Sequence, residues 1–204
     1  CIRDSNNITV IFKKILMILP ILAYGHPILR KKCKSVEENS EEIKSLISNM
    51  WETMYNAEGV GLAAPQVGVN KKIFIIDANP LFPKDQEISD FEKLNSKKVF
   101  INPEITEMDG DQCYFNEGCL SIPEIRAEIK RPNMIKVEFL DENFNHNSVI
   151  FKGLLARVIL HENDHINGVL FTDKISSFKR KIIQNKLDRI KKGKIETQYK
   201  MSFL

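Results

Sequence analysis

From Ile43 to Tyr55 apolar residues recur at three- and four-residue steps: Ile43, Leu46, Ile47, Met50, Trp51, Met54 and Tyr55. That spacing predicts an amphipathic helix over 39–58, its Met and Trp stripe turned to the core. Asn39 is placed to cap it, Glu42 to complete a capping box, and Gly59 to end it. Lys72 to Asp77 reads as a buried strand, and Val99 to Pro103 as another. Asp109-Gly110 is a turn signal, with a further strand expected over Gln112 to Phe115. Ile135, Val137 and Phe139 alternate with Lys136 and Glu138, the pattern of a half-exposed strand over Met134 to Leu140. Asp141-Glu142-Asn143 then predicts a turn, and Ser148 to Phe151 the returning strand. Leu154, Leu155, Val158 and Ile159 restore helical spacing, and Asn167-Gly168 supplies its stop. A basic amphipathic helix is expected over Ser177 to Lys192, with Phe178, Ile182, Ile183, Leu187 and Ile190 facing inward. The pattern gives an α+β fold: short, mostly antiparallel strands around a central helix, with an N-terminal amphipathic helix and a C-terminal basic one.

Composition narrows the class. The 204 residues suffice for one domain with a substantial core. That domain is expected over 16–192, with an extension at 1–15 and a tail at 193–204. Within it, 79–98 carries Pro80, Pro83 and many charges and reads as a solvated, mobile insertion. A net charge of +3 is too small to imply nucleic-acid binding by itself. The most apolar run, Val10 to Tyr24, is broken by Lys13, Lys14 and Pro20, so no membrane span is expected. Four irregularly spaced Cys do not suggest a disulfide framework. They point to a reducing compartment, with any notable Cys as ligand or nucleophile. A start at Cys1 rather than Met implies that an upstream piece has been removed.

The central helix carries Leu160-His161-Glu162-Asn163-Asp164-His165. On a helix, residues four apart share a face, so His161 and His165 can grip one metal ion. Glu162 lies about 60° round the helix from His165, near the metal without having to bind it. This is the H-E-x-x-H pattern, in which two His hold a metal and the Glu is general base on its water. A catalytic site usually has a third protein ligand. No His follows His165; Glu196 is distant and Asp173 follows an apolar run. Cys119, between Gly118 and Leu120 and close to Glu117, is the best candidate. A Cys, His, His set suits zinc or iron. His26 and His146 remain open, although His26 precedes a Pro in a turn and His146 lies just past one. Gly59 to Gln66 holds small residues that let a backbone pass close to a ligand or a packed helix.

Three stretches together resemble one family. Gly59-Val60-Gly61-Leu62-Ala63-Ala64-Pro65-Gln66, Glu117-Gly118-Cys119-Leu120-Ser121 and His161-Glu162-Asn163-Asp164-His165 are similar, in order, to the three motifs of the peptide deformylases. Gly25-His26-Pro27-Ile28-Leu29-Arg30 resembles the family's N-terminal segment, and the likeness runs from about Leu16 to Lys192. The resemblance implies a metallo-hydrolase that removes the formyl group from N-formylmethionine of nascent peptides, releasing formate. It implies Cys119, His161 and His165 as ligands of one divalent ion, Fe(II) in the cell, with Zn, Ni or Co able to substitute. Glu162 would be the acid/base, and Gln66 with the Leu120 N–H the donors to the oxyanion. Gly59, Val60, Gly61 and Glu117 would contact substrate. Asp164, on the helix's other side, would anchor the helix.

The insertion and truncated start suggest an organellar member, plastid-type or mitochondrial. The basic C-terminal helix suggests a contact with the ribosome. Two other readings use the same residues. One is a general metallopeptidase with another third ligand; the other is a basic RNA-docking module with a structural metal. The presence of Glu162 and Gln66 argues against the second, because a structural site needs neither.

Overall fold

A computed structural model of the chain describes residues 17–83, 85 and 87–204. The extension expected over 1–15 lies outside them. The chain runs through β1 (Ile21–Leu22), α1 (Glu41–Asn56), β2 (Gly61–Ala63), β3 (Ile73–Asp77), α2 (Asp90–Asn95), β4 (Lys97–Cys119), β5 (Ile122–Leu140), β6 (His146–Lys152), α3 (Gly153–Ile166), α4 (Ser177–Lys191) and β7 (Met201–Ser202). Strands β2 to β6 form an antiparallel sheet in sequence order. β1 and β7 form a separate parallel pair. The α+β architecture read from the pattern is the one present.

The sheet is covered on both faces, which explains why β3 is apolar from Ile73 to Ile76. Phe74 and Ile76 share a cluster with Leu155, Ile159 and Ile166 of α3. Ile73 and Ile75, alternate residues on the same strand, pack with Ile43, Met50 and Met54 of α1. Phe100 sits at the centre of the first cluster, with ring centroids 4.7 Å from Phe74, 4.3 Å from Phe139 and 5.8 Å from Phe151. α3 is therefore held along most of its length, and this fixes the direction in which its His residues point.

Several expectations are corrected. Ser40, not Asn39, caps α1, its Oγ accepting from the Ile43 N–H at 3.4 Å. Asp109-Gly110 does not turn the chain. β4 runs through it, and the pairing with β5 slips between Asp109 and Gln112, where Gly110 takes φ +80°. A bulge absorbs the residues that a turn would have used. The hairpin instead reverses at Leu120-Ser121, and β4 and β5 are long, at 23 and 19 residues. The 79–98 segment carries α2, capped by a reciprocal Ser89–Glu92 box, and buries Asn95 and Ser96. Phe178 and Ile182 are 71% and 65% exposed, because α4 buries Leu187 and Ile190 and rests on the body through its second half. Residues 201–202, placed in a tail by the sequence, form β7 against β1.

Phe100→Ala should lower unfolding free energy by about 3–5 kcal/mol, because three aromatic neighbours cannot collapse into the space. Urea denaturation measures this; a loss under about 1 kcal/mol would remove Phe100 from the centre of the core.

Candidate active site

α3 presents His161 and His165 one turn apart, and β4 ends at Cys119 beside them. The Cys119 Sγ and a ring nitrogen of each His all lie within 4.8 Å of one another. Sγ is 3.2 Å from His165 Nε2. A thiol and two imidazoles converging this closely are a donor set suited to a divalent transition metal, so the residues present fit the metal that the motif calls for. The other candidates are elsewhere. His26 accepts from the Ile28 N–H and caps a short 3-10 turn, and His146 is exposed on β6. Asp173 is paired with Arg30 and Arg180, and Glu196 lies on the cleft wall.

Behind the donors lies a buried ion network. Glu117 Oε1 accepts from Arg131 Nε at 2.7 Å and from Arg157 at 3.0 Å. Oε2 accepts from Arg131 at 2.8 Å and lies 2.9 Å from His161 Nδ1. Burial alone would raise the Glu117 carboxyl, but Arg131 and His161 hold it well below the usual carboxylate range. With Nδ1–H directed to Glu117, the other nitrogen of His161 is free to ligate. Glu117 borders the cleft but has both oxygens occupied. It holds His161 through Nδ1. Asp164 bonds Arg131 at 2.6 Å and Lys174 at 3.2 Å, so it anchors the helix as anticipated.

Glu162 is 4% exposed, and its Oε2 has no protein partner. Burial pushes its carboxyl up to about 7, with nearby Glu117 and Asp164 adding to the rise. Such a group exchanges a proton readily near neutral pH. β2 crosses directly over it. A Cβ on Gly61 would stand 2.8 Å from Glu162 Cδ and closer still to Oε1, so only glycine lets the strand pass. A Cβ on Gly59 would likewise stand 2.8 Å from Leu120 Cδ1. Gln66 is buried, its Oε1 accepting from the Ala63 N–H at 2.8 Å. Its amide Nε2 reaches Ser121 Oγ at 3.3 Å and Cys119 Sγ at 3.6 Å. These groups open on a cleft of about 1100 Å³ that Gly59, Val60, Gly61 and Leu120 also line.

Sequence reasoning missed Arg131, Arg157 and Tyr199. For Arg157 a signal existed: it is a lone charge among Leu154, Leu155, Val158 and Ile159, and a charge buried there needs a partner. Arg131 and Tyr199 carry no comparable local mark.

A Cys, His, His donor set beside a buried carboxyl, at the floor of an open cleft, defines a metal-dependent hydrolase. Comparison narrows the class. The family model described as Polypeptide deformylase matches residues 18–181. The peptide deformylase of Christiangramia forsetii is 52% identical over 190 residues, covering 92% of this chain and 96% of that protein. That of Flavobacterium johnsoniae is 48% identical, with 92% and 96% covered. A crystal structure of a peptide deformylase from Legionella pneumophila superposes with TM-score 0.74 at 38% identity, covering 87% of this chain and 98% of the other. One from Plasmodium falciparum gives 0.75 at 33% identity, with 85% and 95% covered.

The chain belongs to the peptide deformylase family and is a metallo-hydrolase that removes the formyl group from nascent N-formylated peptides. The organellar expectation is overturned: these sequence relatives, with those from Salinibacter ruber and Cytophaga hutchinsonii, are bacterial. A match over 92% of the chain must run through 79–98, so that segment carries no organellar signature.

Gly61→Ala should displace the Glu162 carboxylate and lower formate release roughly 100-fold while the protein stays folded. Turnover close to that of the parent protein, with unchanged circular dichroism, would show that β2 does not constrain Glu162.

Proposed function

We propose that Cys119, His161 and His165 bind one divalent metal ion, and that Glu162 carries a proton from the attacking water to the departing amine. The observation that supports this is the convergence of three donor atoms within 4.8 Å beside a buried carboxyl with a free Oε2. Bound there, the ion would polarise the formyl oxygen and lower the pKa of a coordinated water towards 7. Fe(II) is the ion proposed in the cell, with Zn, Ni or Co able to replace it. The Cys119 thiolate offsets part of its charge.

Glu162 accepts the water's proton as the hydroxyl oxygen bonds to the formyl carbon. Gln66 Nε2 and the Leu120 N–H donate to the carbonyl oxygen as it gains negative charge. One such donor is worth roughly 3 kcal/mol of barrier. When the C–N bond breaks, Glu162 returns the proton to the amine, leaving formate and a free methionine N-terminus. Gly59, Val60 and Gly61 form the cleft edge along which the peptide backbone is proposed to lie.

The exposed basic face of α4, with Lys179, Lys181 and Lys186, is proposed to contact the ribosome from which the substrate emerges. Replacing these three by Ala should weaken low-salt cosedimentation with ribosomes and leave turnover of free peptide unchanged. Equal cosedimentation would remove that contact.

Glu162→Gln should keep its metal content, measured anaerobically, while formate release from formyl-Met-Ala-Ser falls about 10²–10⁴-fold. Near-normal turnover in the metal-loaded variant would sink the proton-carrier role. Cys119→Asp should change metal selectivity; an unchanged metal profile would count against ligation by Cys119.

A further inference from the structure

The last residues of the chain return to the active site. Gly193 ends α4 with φ +65°, and Lys194 N–H bonds back to the Arg189 carbonyl at 2.8 Å. The segment then runs along the cleft, where Thr197 and Tyr199 form part of the wall. Thr197 Oγ1 donates to the Tyr199 carbonyl at 2.8 Å, which fixes the local turn. Beyond it the chain is tied to β1: Ile21 N–H bonds to the Lys200 carbonyl and Ala23 N–H to the Ser202 carbonyl, each at 2.9 Å. The segment is therefore a strap anchored at both ends.

At its centre the Tyr199 hydroxyl donates to the Leu120 carbonyl at 2.7 Å. Leu120 lies in the β4–β5 turn, immediately after Cys119. That turn is held at two further points. The Tyr24 N–H bonds to the Ser121 carbonyl at 2.8 Å, and Gln66 Nε2 reaches Ser121 Oγ at 3.3 Å. Both of these hold Ser121. Among the described residues, Tyr199 supplies the side-chain bond to Leu120 itself. Its ring also packs in the same cluster as the Leu120 side chain.

We infer that Tyr199 is a positioning residue for deformylation, its hydroxyl fixing the turn so that the Leu120 N–H points at the developing oxyanion. This rests on the proposed role of the Leu120 N–H given above. A donor of that kind acts on charge that appears in the transition state, so its misplacement lowers kcat and leaves KM largely unchanged. Loss of a whole donor costs about 10²–10³ in kcat, and a loosened donor should cost less, about tenfold. A residue that merely stabilised the fold would move the melting temperature and spare this split.

The test is Tyr199→Phe in the metal-loaded enzyme, which removes one oxygen and keeps the ring. Lys200→Ala, an exposed position on the same strap, is the control. The expected result is a kcat about tenfold lower for formyl-Met-Ala-Ser, KM within about twofold, and metal content unchanged. In the zinc-loaded protein, NMR should show the Leu120 amide shifted and its hydrogen exchange accelerated, with neither change in Lys200→Ala. An unmoved Leu120 amide with unchanged kcat would overturn the inference. A displaced amide with unchanged kcat would overturn it too, and this second outcome alone would also remove the Leu120 N–H from the oxyanion role.

Discussion

A buried carboxylate between two guanidiniums and an imidazole organises this protein. Glu117 is 5% exposed, so its charge is costly unless every acceptor position is used. Arg131 from β5, Arg157 from α3 and His161 from α3 use them, and Arg131 reaches on to Asp164. Removing one partner of such a network typically costs about 3–5 kcal/mol, because the others are left buried and unpaired. The network joins the end of β4, the middle of β5 and the length of α3. Two of those elements, β4 and α3, carry the three donors: Cys119 is two residues beyond Glu117, and His161 is one of the partners. The geometry of the donors is thus a consequence of charge compensation beneath them.

Above the network the constraints are steric. β2 passes so close to Glu162 that a side chain on Gly61 would displace the carboxylate, and a Cβ on Gly59 would stand 2.8 Å from Leu120 Cδ1. The covering strand keeps Glu162 away from water, and that burial pushes its carboxyl up to about 7. Gln66 belongs to the same layer, one end fixed by the Ala63 N–H and the other directed at the β4–β5 turn. Charge compensation below and close backbone packing above leave a cleft whose polar atoms are already oriented before a substrate enters. Preorganised donors of this kind avoid reorganisation during the reaction.

Much of this was legible in the sequence because it follows short periods. His161 and His165 are four apart on a helix, and α1 and the 134–140 stretch of β5 carry the 3.6- and 2-residue patterns that burial imposes. The donor set needed one long-range step, from α3 to Cys119, which the shortage of downstream ligands suggested. What was not legible depends on pairing across the fold. Asp109-Gly110 looks like a turn until β5 is seen beside it, and a bulge takes its place. Phe178 and Ile182 have inward spacing, but α4 overhangs the body there. The closing residues have too little pattern to announce a parallel partner in β1, or a Tyr199 hydroxyl at the active-site turn. Glu117 was visible as an acidic neighbour of Cys119. Its task depends on Arg131 and Arg157, which lie 14 and 40 positions away.

Glu117, fixed by its two arginines, sets the orientation of the His161 ring. The most direct measurement is the zinc affinity of Glu117→Gln against the parent protein, by competition with a chelator, once circular dichroism has shown both to be folded. The expected result is a fall of about 10–100-fold with the three donors intact, the usual effect of losing a carboxylate that orients a ligating imidazole. An unchanged affinity in the folded variant would contradict it.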